Sequence, residues 1–262
     1  MKFKAAILDI DGTLVSYNRH SPTQKTLETV EKMQQNGFLV MIATGRSSFV
    51  ADYNVVGFYA DYTVCANGAY AIKKTGQHLF DERLSFDQTQ RIINFCDETD
   101  SALGLTFSDA NYVYNKYEWY AQFYRSMLGN MCYVENGESR KQHFKELPFT
   151  AFSYVDDSLM AEFCIKNRDL IATPYASGVY DIYRREINKA TGIAQLLDLI
   201  DIKSSELVAI GDGENDIEML QMAGMGVAMG NSSKHVKSCA DMVAKSVDED
   251  GAALAMEQLF SL

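Results

Sequence analysis

Short apolar runs alternate with helix-like segments over the first 80 residues of the chain. The runs at residues 3–8, 38–43 and 62–66 are compact and hydrophobic, which is typical of strands buried on both faces of a parallel sheet. Between the first two runs, apolar residues recur at helical spacing after Ser21-Pro22, a pair typical of a helix N-cap followed by proline. This strand–helix–strand order predicts a parallel sheet covered by helices.

The pattern changes after about residue 81. Residues 82–185 are richer in aromatic side chains and contain alternating, strand-like segments, so they predict an α+β insertion with its own small core. The alternating α/β pattern then returns, with a predicted helix at 189–200, a strand at 207–210, a helix at 216–222 and strands at 226–229 and 242–244. We therefore predict a doubly wound, Rossmann-like core formed by residues 1–81 and 186–262, interrupted by an inserted α+β domain at residues 82–185.

Composition and charge exclude several kinds of partner. The 262 residues carry a formal charge of −11, which argues against a broad surface for nucleic acid or an anionic membrane. Five scattered cysteines without a CxxC pair indicate free thiols in a reducing compartment, not a zinc cage or a disulfide framework. No segment has the form of a signal peptide or a membrane span, so we expect a cytoplasmic protein.

Two carboxylates follow the first predicted strand. Asp9 and Asp11 are two residues apart in an extended segment, so their side chains can point to the same side. They stand at the carboxyl end of the strand, where open α/β sheets place ligands. Gly12 allows the backbone to turn close to a ligand, and Thr13 can fix that turn. The alternative is that these two carboxylates only cap a loop. The apolar strand directly before them makes that alternative less convincing.

Three further stretches offer groups for an anion or a cation. Thr44-Gly45-Arg46 supplies a hydroxyl, an unhindered N–H and a guanidinium after the second strand, although a simple turn would use the same residues. Lys189 opens a predicted helix, where a lysine is commonly just solvated. The sequence GDGEND at 211–216 offers oxygen ligands for a hard cation, and Asp216 could also be the cap or a first-turn acid of the helix that follows.

Taken in order, these motifs resemble those of a known family. DIDGT at 9–13, TGR at 44–46, Lys189 and GDGENDIEML at 211–220 resemble the four motifs of the haloacid dehalogenase-like superfamily. ANGA at 66–69, VAMGNS at 227–232 and the large insertion resemble its Cof-type branch, which has an α+β cap of the C2B type. The resemblance implies magnesium-dependent phosphoryl transfer through an aspartyl-phosphate.

The resemblance also implies a role for individual residues. Asp9 would be the nucleophile, and Asp11 would be the general acid and then the general base, while Lys189 would neutralise the charge of the nucleophile and the phosphate. The implied Mg²⁺ ligands are Asp9, Asp212 and the backbone carbonyl of Asp11, with Asn215 and Asp216 in the outer shell, orienting Lys189. The implied phosphate or substrate contacts are Gly12, Thr44, Gly45, Arg46, Lys189 and Asn67, where Arg46 and Asn67 bind substrate or support the site.

The function expected from the sequence is that of a phosphoric monoester hydrolase. Its cofactor would be Mg²⁺ and its partner a small phosphorylated metabolite, with sugar phosphates as the first choice, and the enzyme would act as a monomer or homodimer. A phosphomutase is one alternative, because it would use the same nucleophile but return the phosphoryl group to the substrate. A non-catalytic regulator that binds metal or phosphate is the other, although it would not need Asp9, Asp11 and Lys189 together.

Overall fold

The computed structural model describes residues 3–16, 19, 21–51, 56–128 and 133–262, with the backbone alone for residues 124–128 and 175–176. The chain divides into two compact units. The core unit comprises Met1–Phe80 and Asn188–Leu262, and the inserted unit comprises Asp81–Ile187.

The first segment of the core unit folds as strands and one described helix, in the order β1 (Ala5–Leu8), α1 (Gln24–Gln35), β2 (Leu39–Ala43), β3 (Tyr62–Cys65), β4 (Tyr70–Lys73) and β5 (His78–Asp81). The predicted start of the first helix at Ser21 is wrong. Thr23 is the N-cap, because its hydroxyl oxygen accepts a hydrogen bond from the N–H of Thr26 at 3.1 Å.

The inserted unit contains β6 (Ala102–Thr106), β7 (Asn111–Asn115), β8 (Val134–Asn136), β9 (Thr150–Tyr154), β10 (Leu170–Ala176) and β11 (Val179–Arg184), with helices α2 (Phe86–Glu98), α3 (Tyr117–Leu128) and α4 (Asp157–Lys166). Its strands form one mixed sheet in the order β10-β11-β9-β6-β7-β8. Side chains of α2 and α4, such as Ile92 and Phe163, pack on Leu105 of one face. On the other face Tyr120 of α3 packs against Phe152. The predicted α+β architecture is confirmed.

The second segment of the core unit contains α5 (Lys189–Leu199), β12 (Leu207–Gly211), α6 (Ile217–Met222), β13 (Met225–Ala228), α7 (Lys234–Ser238), β14 (Met242–Val243) and α8 (Gly251–Phe260). The core sheet has the order β14-β13-β12-β1-β2-β3-β4-β5. It is parallel from β14 to β3, as predicted, but β4 pairs with β3 in the antiparallel direction. The tight turn at Ala66–Gly68 reverses the chain there, which an all-parallel prediction did not include.

Buried apolar side chains hold helices on both faces of the core sheet. Ile7 and Met41 pack with Ile193 and Leu196 of α5 on one face. Alternate strand residues point to the opposite face, where α1 lies against β2. The doubly wound α/β core is therefore confirmed.

The order of the central strands decides where the polar motifs meet. β1 lies between β2 and β12, with Ile7 level with Met41 on one side and with Ala209 on the other. All three strands are parallel, so their carboxyl ends, followed by Asp9, Thr44 and Asp212, share one edge of the sheet.

Two further observations concern the chain as a whole. Within the described ranges, every helix is too short or too polar to cross a lipid bilayer. Cys65, Cys96, Cys164 and Cys239 carry free thiols, and Cys132 lies outside the described residues.

Candidate active site

A buried lysine lies between two buried carboxylates at the carboxyl edge of the core sheet. Lys189 Nζ donates hydrogen bonds to Asp9 Oδ1 at 2.5 Å and to Asp216 Oδ1 at 2.6 Å. Lys189, Asp9 and Asp216 are 1%, 6% and 0% exposed, so water screens these charges little. Lys189 is the first residue of α5, and Asn188 caps that helix by accepting a hydrogen bond from the N–H of Thr191. The fold thus joins residues that are far apart in the sequence.

The charges of this buried group do not balance, because two carboxylates share one ammonium. Burial raises the pKa of Asp9 well above its ordinary value; Lys189 lowers it, and Asp216 raises it further. Burial alone would lower the pKa of Lys189, but Asp216 and Asp9 raise it above its ordinary value, so the lysine stays charged. An additional cation would offset the excess negative charge.

Both oxygens of the Asp216 carboxylate have defined partners. Oδ1 faces Lys189, and Oδ2 accepts hydrogen bonds from the N–H groups of Asp212 and Gly213 at 2.9 and 2.8 Å. Asp216 immediately precedes α6 but caps none of the N–H groups of that helix. Its carboxylate instead accepts the N–H of Gly213, the residue that begins the short 3₁₀ turn Glu214–Asp216 leading into α6. The expectation that Asp216 serves the N-terminus of the helix is therefore confirmed at this turn and not at α6 itself.

Asp212 completes a group of three carboxylates that could hold a cation. Oxygen atoms of Asp9, Asp212 and Asp216 all lie within 4.8 Å of one another. Burial, together with the charge of Asp216, raises the pKa of Asp212 to about 7. Clustered carboxylate oxygens are hard ligands, so these residues fit Mg²⁺. Asp216, which the resemblance places in the outer shell, belongs to this group of three carboxylates. The carboxylate of Asp11 does not belong to it.

Asp11 instead pairs with Arg46 through both of its carboxylate oxygens. Arg46 Nε donates to Oδ2 at 2.9 Å and Nη2 donates to Oδ1 at 2.6 Å, which is the bidentate geometry typical of arginine. The Asp11 side chain is 43% exposed, whereas Asp9 is buried. Two carboxylates two residues apart therefore occupy different environments, one dry and paired with lysine, the other in contact with solvent.

The residues after β2 form a tight turn beside Asn67. Thr44 is buried; its Oγ1 accepts a hydrogen bond from the N–H of Arg46 at 3.1 Å, and its carbonyl accepts one from the N–H of Asn67 at 3.0 Å. Gly45 follows, and a Cβ at this position would lie 3.2 Å from Asn67 Oδ1. The structure thus brings Thr44, Gly45, Arg46 and Asn67 together.

The described side-chain hydrogen bond of Asn215 goes to Asn67 and not to Lys189. Asn215 Nδ2 donates a hydrogen bond to Asn67 Oδ1 at 3.0 Å. Of the two residues predicted to orient Lys189, Asp216 contacts the lysine, whereas the described hydrogen bond of Asn215 goes to Asn67. Asn215 therefore connects the loop after β12 to the turn after β3.

Two glycines permit close approaches that place the site residues. Gly12 has a φ of +81°, and a Cβ there would lie 2.1 Å from Asp212 Oδ2. Gly68 has a φ of +105°, and a Cβ there would lie 2.0 Å from the carbonyl oxygen of Asn188, just before Lys189. Both positions combine a left-handed backbone with a lack of space, so a larger residue would displace Asp212 or the start of α5.

Asn231 is a contact of Asp212 that sequence reasoning missed. Asn231 Nδ2 lies 3.2 Å from Asp212 Oδ2. In the sequence, Asn231 is distinguished only as part of the VAMGNS motif at 227–232. The signal that could have indicated it is its place in the chain, because it follows β13, which pairs in parallel with β12.

Comparison with known proteins identifies the class to which this fold and site belong. The family model for haloacid dehalogenase-like hydrolases matches residues 6–256. The chain therefore belongs to the haloacid dehalogenase-like (HAD) hydrolase family, and the resemblance found in its motifs is confirmed.

Individual relatives are phosphatases. The chain is 27% identical to a phosphoglycolate phosphatase of Methanosarcina acetivorans, over all of this chain and 98% of the relative. It is 28% identical to the 5-amino-6-(5-phospho-D-ribitylamino)uracil phosphatase YitU of Bacillus subtilis, over 97% of each.

Solved structures agree with this result. BT1666 of Bacteroides thetaiotaomicron, described among phosphatases of the HAD superfamily, superposes with a TM-score of 0.87 at 27% identity, covering 99% of this chain and 96% of BT1666. The HAD subclass IIB sugar phosphatase BT4131 superposes with a TM-score of 0.84 at 25% identity, covering 99% and 100%. The predicted class, a phosphoric monoester hydrolase, is confirmed.

Proposed function

We propose that this chain is a Mg²⁺-dependent phosphatase that transfers the phosphoryl group of a small phosphomonoester to Asp9 and then to water. The observation that carries the proposal is the contact of Lys189 with both Asp9 and Asp216 in a buried position. A carboxylate can approach a phosphate dianion only if nearby cations offset the repulsion. A lysine held against one oxygen of Asp9 meets part of that requirement.

A bound metal ion would offset the remaining repulsion between Asp9 and the phosphate. Asp9 and Asp212 would hold Mg²⁺ through carboxylate oxygens, together with the predicted backbone carbonyl of Asp11, and Asp216 adds negative charge to the same group. When bound, the ion offsets charge on the phosphoryl oxygens and makes the phosphorus more electrophilic.

In the first step, a carboxylate oxygen of Asp9 attacks phosphorus, and the bond from phosphorus to the leaving oxygen breaks. The leaving oxygen takes its proton from Asp11, so that a neutral alcohol departs. Lys189 keeps the Asp9 carboxylate oriented. The Thr44 hydroxyl and the Gly45 N–H donate hydrogen bonds to the transferring phosphoryl group.

In the second step, water attacks the phosphorus of the aspartyl-phosphate, and the bond from phosphorus to Asp9 breaks. Asp11, now ionised, accepts the proton of the water, and inorganic phosphate leaves. The partial exposure of Asp11 suits this exchange, because first the alcohol and then water must reach it. Arg46 pairs with both oxygens of the ionised Asp11 carboxylate, which is the form that acts as base. When Asp11 carries the proton for the leaving oxygen, one of these two contacts opens and the other keeps the side chain near the site.

We further propose that the inserted unit, predicted at residues 82–185, is the cap that selects the leaving group. Sugar phosphates are the first substrate class to examine, because the superposed BT4131 is a sugar phosphatase and the relatives act on small phosphorylated compounds. The monomeric or homodimeric state stays a prediction.

The test is phosphate release from a panel of sugar, cofactor and nucleotide monoesters, with Mg²⁺ and with EDTA. Asp9→Asn keeps the size of the side chain but removes the nucleophile, so release should fall by at least about 10³-fold. Asp248→Asn, at an exposed carboxylate of the same unit, is the matched control and should retain activity. Substrate labelled with ³²P should leave base-labile label on the wild-type chain and none on Asp9→Asn.

Three outcomes would contradict the proposal. Release that does not depend on a divalent cation would exclude the metal, and near-native turnover by Asp9→Asn would exclude the nucleophile. Transfer of phosphate to a second substrate position, seen only with a bisphosphate activator, would indicate a phosphomutase instead.

A further inference from the structure

The side chain of Asn231 connects three separate segments of the core unit. Its Nδ2 donates hydrogen bonds to the carbonyl oxygen of Gly12 at 2.8 Å and to Asp212 Oδ2 at 3.2 Å. Its Oδ1 accepts a hydrogen bond from the N–H of Val247 at 2.9 Å. The amide therefore bridges the loop after β1, the loop after β12 and the segment that leads into α8.

The third of these contacts fixes the orientation of the amide. The backbone N–H of Val247 can only donate, so the atom of Asn231 that faces it must be the oxygen. The amide nitrogen must then face Gly12 and Asp212, and both of its hydrogens are directed at oxygen acceptors. An asparagine meets all three requirements, whereas an aspartate could not donate to either acceptor.

Thr13 holds the other oxygen of the same carboxylate. Thr13 Oγ1 donates a hydrogen bond to Asp212 Oδ1 at 3.1 Å, and Thr13 is 2% exposed. Each oxygen of Asp212 thus receives one hydrogen bond from a neutral donor, on opposite sides of the carboxylate. Two such contacts fix the plane of a carboxylate that could otherwise rotate about its Cβ–Cγ bond.

We propose that Thr13 and Asn231 are positioning residues that orient Asp212 for a divalent cation, and that this orientation sets the affinity of the site for Mg²⁺. The inference rests on the proposed Mg²⁺ dependence. Both donors are neutral, so they orient the carboxylate without cancelling the charge that attracts the ion. Partners behind a metal ligand typically change metal affinity by about 10- to 100-fold when removed.

The experiment is calorimetric titration of Mg²⁺ into EDTA-treated and desalted protein, without substrate. Thr13→Val and Asn231→Ala should each raise the Kd for Mg²⁺ by about 10-fold or more. Thr13→Ser keeps the hydroxyl and should stay within about 2-fold of the wild type. Asn94→Ala, which removes an exposed asparagine of the inserted unit, controls for the loss of an amide and should leave the Kd unchanged.

The double variant Thr13→Val/Asn231→Ala gives a second reading. Since both residues act on one carboxylate, the fold-change of the double variant should differ clearly from the product of the two single fold-changes. Thermal unfolding of the metal-free proteins is measured as well. It distinguishes residues that orient Asp212 for Mg²⁺ from residues that only stabilise the loops.

Three results would overturn the proposed positioning role of Thr13 and Asn231. Variants that lower the melting temperature of the metal-free protein but bind Mg²⁺ as the wild type does would overturn the positioning role and leave the proposed function intact. Fold-changes that simply multiply would show that Thr13 and Asn231 do not act on a shared group, which also overturns it. A wild-type chain that binds no Mg²⁺ would overturn both this inference and the proposed metal dependence.

Discussion

Asp181 offers a test of the electrostatics of the inserted unit. It lies on β11, level with Thr173 of β10 and Phe152 of β9, and it is half-buried. Burial raises the pKa of this carboxyl to about 7, above the 3.8 of an unperturbed aspartate. Between these two values the folded chain binds more protons than the unfolded chain. The free energy of unfolding therefore decreases as pH rises through this window, and the full penalty applies above about pH 7.

The size of the effect follows from the shift. Between pH 5 and the folded-state pKa of about 7, two pKa units correspond to about 2.7 kcal/mol. Partial access of water to the side chain lowers the expected figure to about 2 kcal/mol. Asp181→Asn removes the charge and keeps the shape. The variant should therefore gain about 2 kcal/mol relative to the wild type when the pH is raised from 5 to 8.5.

The assay uses the single tryptophan of the chain, Trp119, which lies in the same unit as Asp181. Its ring stacks on Tyr154, with the centroids 4.7 Å apart, so its fluorescence should report the unfolding of this unit. Urea titrations of both proteins at pH 5 and pH 8.5 give four free energies of unfolding. Their double difference cancels any constant effect of the asparagine amide.

The control is Glu98→Gln, which neutralises an exposed carboxylate on α2 and should change stability equally at the two pH values. A double difference near zero for Asp181→Asn would refute the reasoning, since the carboxylate would then be as well solvated in the folded chain as in the unfolded one. A double difference of opposite sign would show that a cationic partner stabilises the charged form.

Three other changes test the candidate active site. Lys189→Met leaves Asp9 and Asp216 buried without their cation and should lower the free energy of unfolding by about 3–5 kcal/mol, whereas Lys4→Met, at an exposed ion pair, should lower it far less. Urea unfolding followed by circular dichroism measures both losses, and equal losses would contradict the argument. Gly12→Ala should abolish Mg²⁺ binding in calorimetry, while Gly37→Ala, at the same φ of +81° but with no atom within 4 Å of a Cβ, should leave Mg²⁺ binding unchanged. If both variants lose Mg²⁺ binding equally, the close approach of Gly12 to Asp212 is not the cause. Arg46→Lys keeps the charge but not the bidentate geometry, so kcat for phosphate release should fall about 10-fold, and an unchanged kcat would show that Asp11 needs no such support.

Most of the core unit could be predicted because buried parallel strands are short apolar runs that end in polar motifs. The predicted strand at 207–210 corresponds to Leu207–Gly211, and the predicted helix at 189–200 corresponds to Lys189–Leu199. Once the strands are known to be parallel, their carboxyl ends must share one edge. The meeting of the motif after β1 with that after β12 follows from this geometry.

The orientation of individual side chains could not be predicted in the same way. Spacing in GDGEND does not show that Asp216 turns back to accept the N–H groups of Asp212 and Gly213, because that depends on the loop conformation. The pairing of Asp11 with Arg46 depends likewise on side-chain torsions. The reversal of the chain before β4, by contrast, carries a signal in the sequence, because Asn67 and Gly68 both adopt a positive φ and an Asn-Gly pair is typical of tight turns. Only the positive φ of Ala66, which precedes that pair, has no such signal.

The central position of β1 has a consequence for synthesis on the ribosome. One edge of β1 pairs with β2, which is made soon afterwards, but the other edge waits for β12, on the far side of residues 81–187. At about 5–20 residues per second, translation of that intervening stretch takes roughly 5–20 s. During this interval the nascent polypeptide presents an apolar strand edge that has not met its neighbour, so aggregation during translation should be greatest before residue 211 emerges.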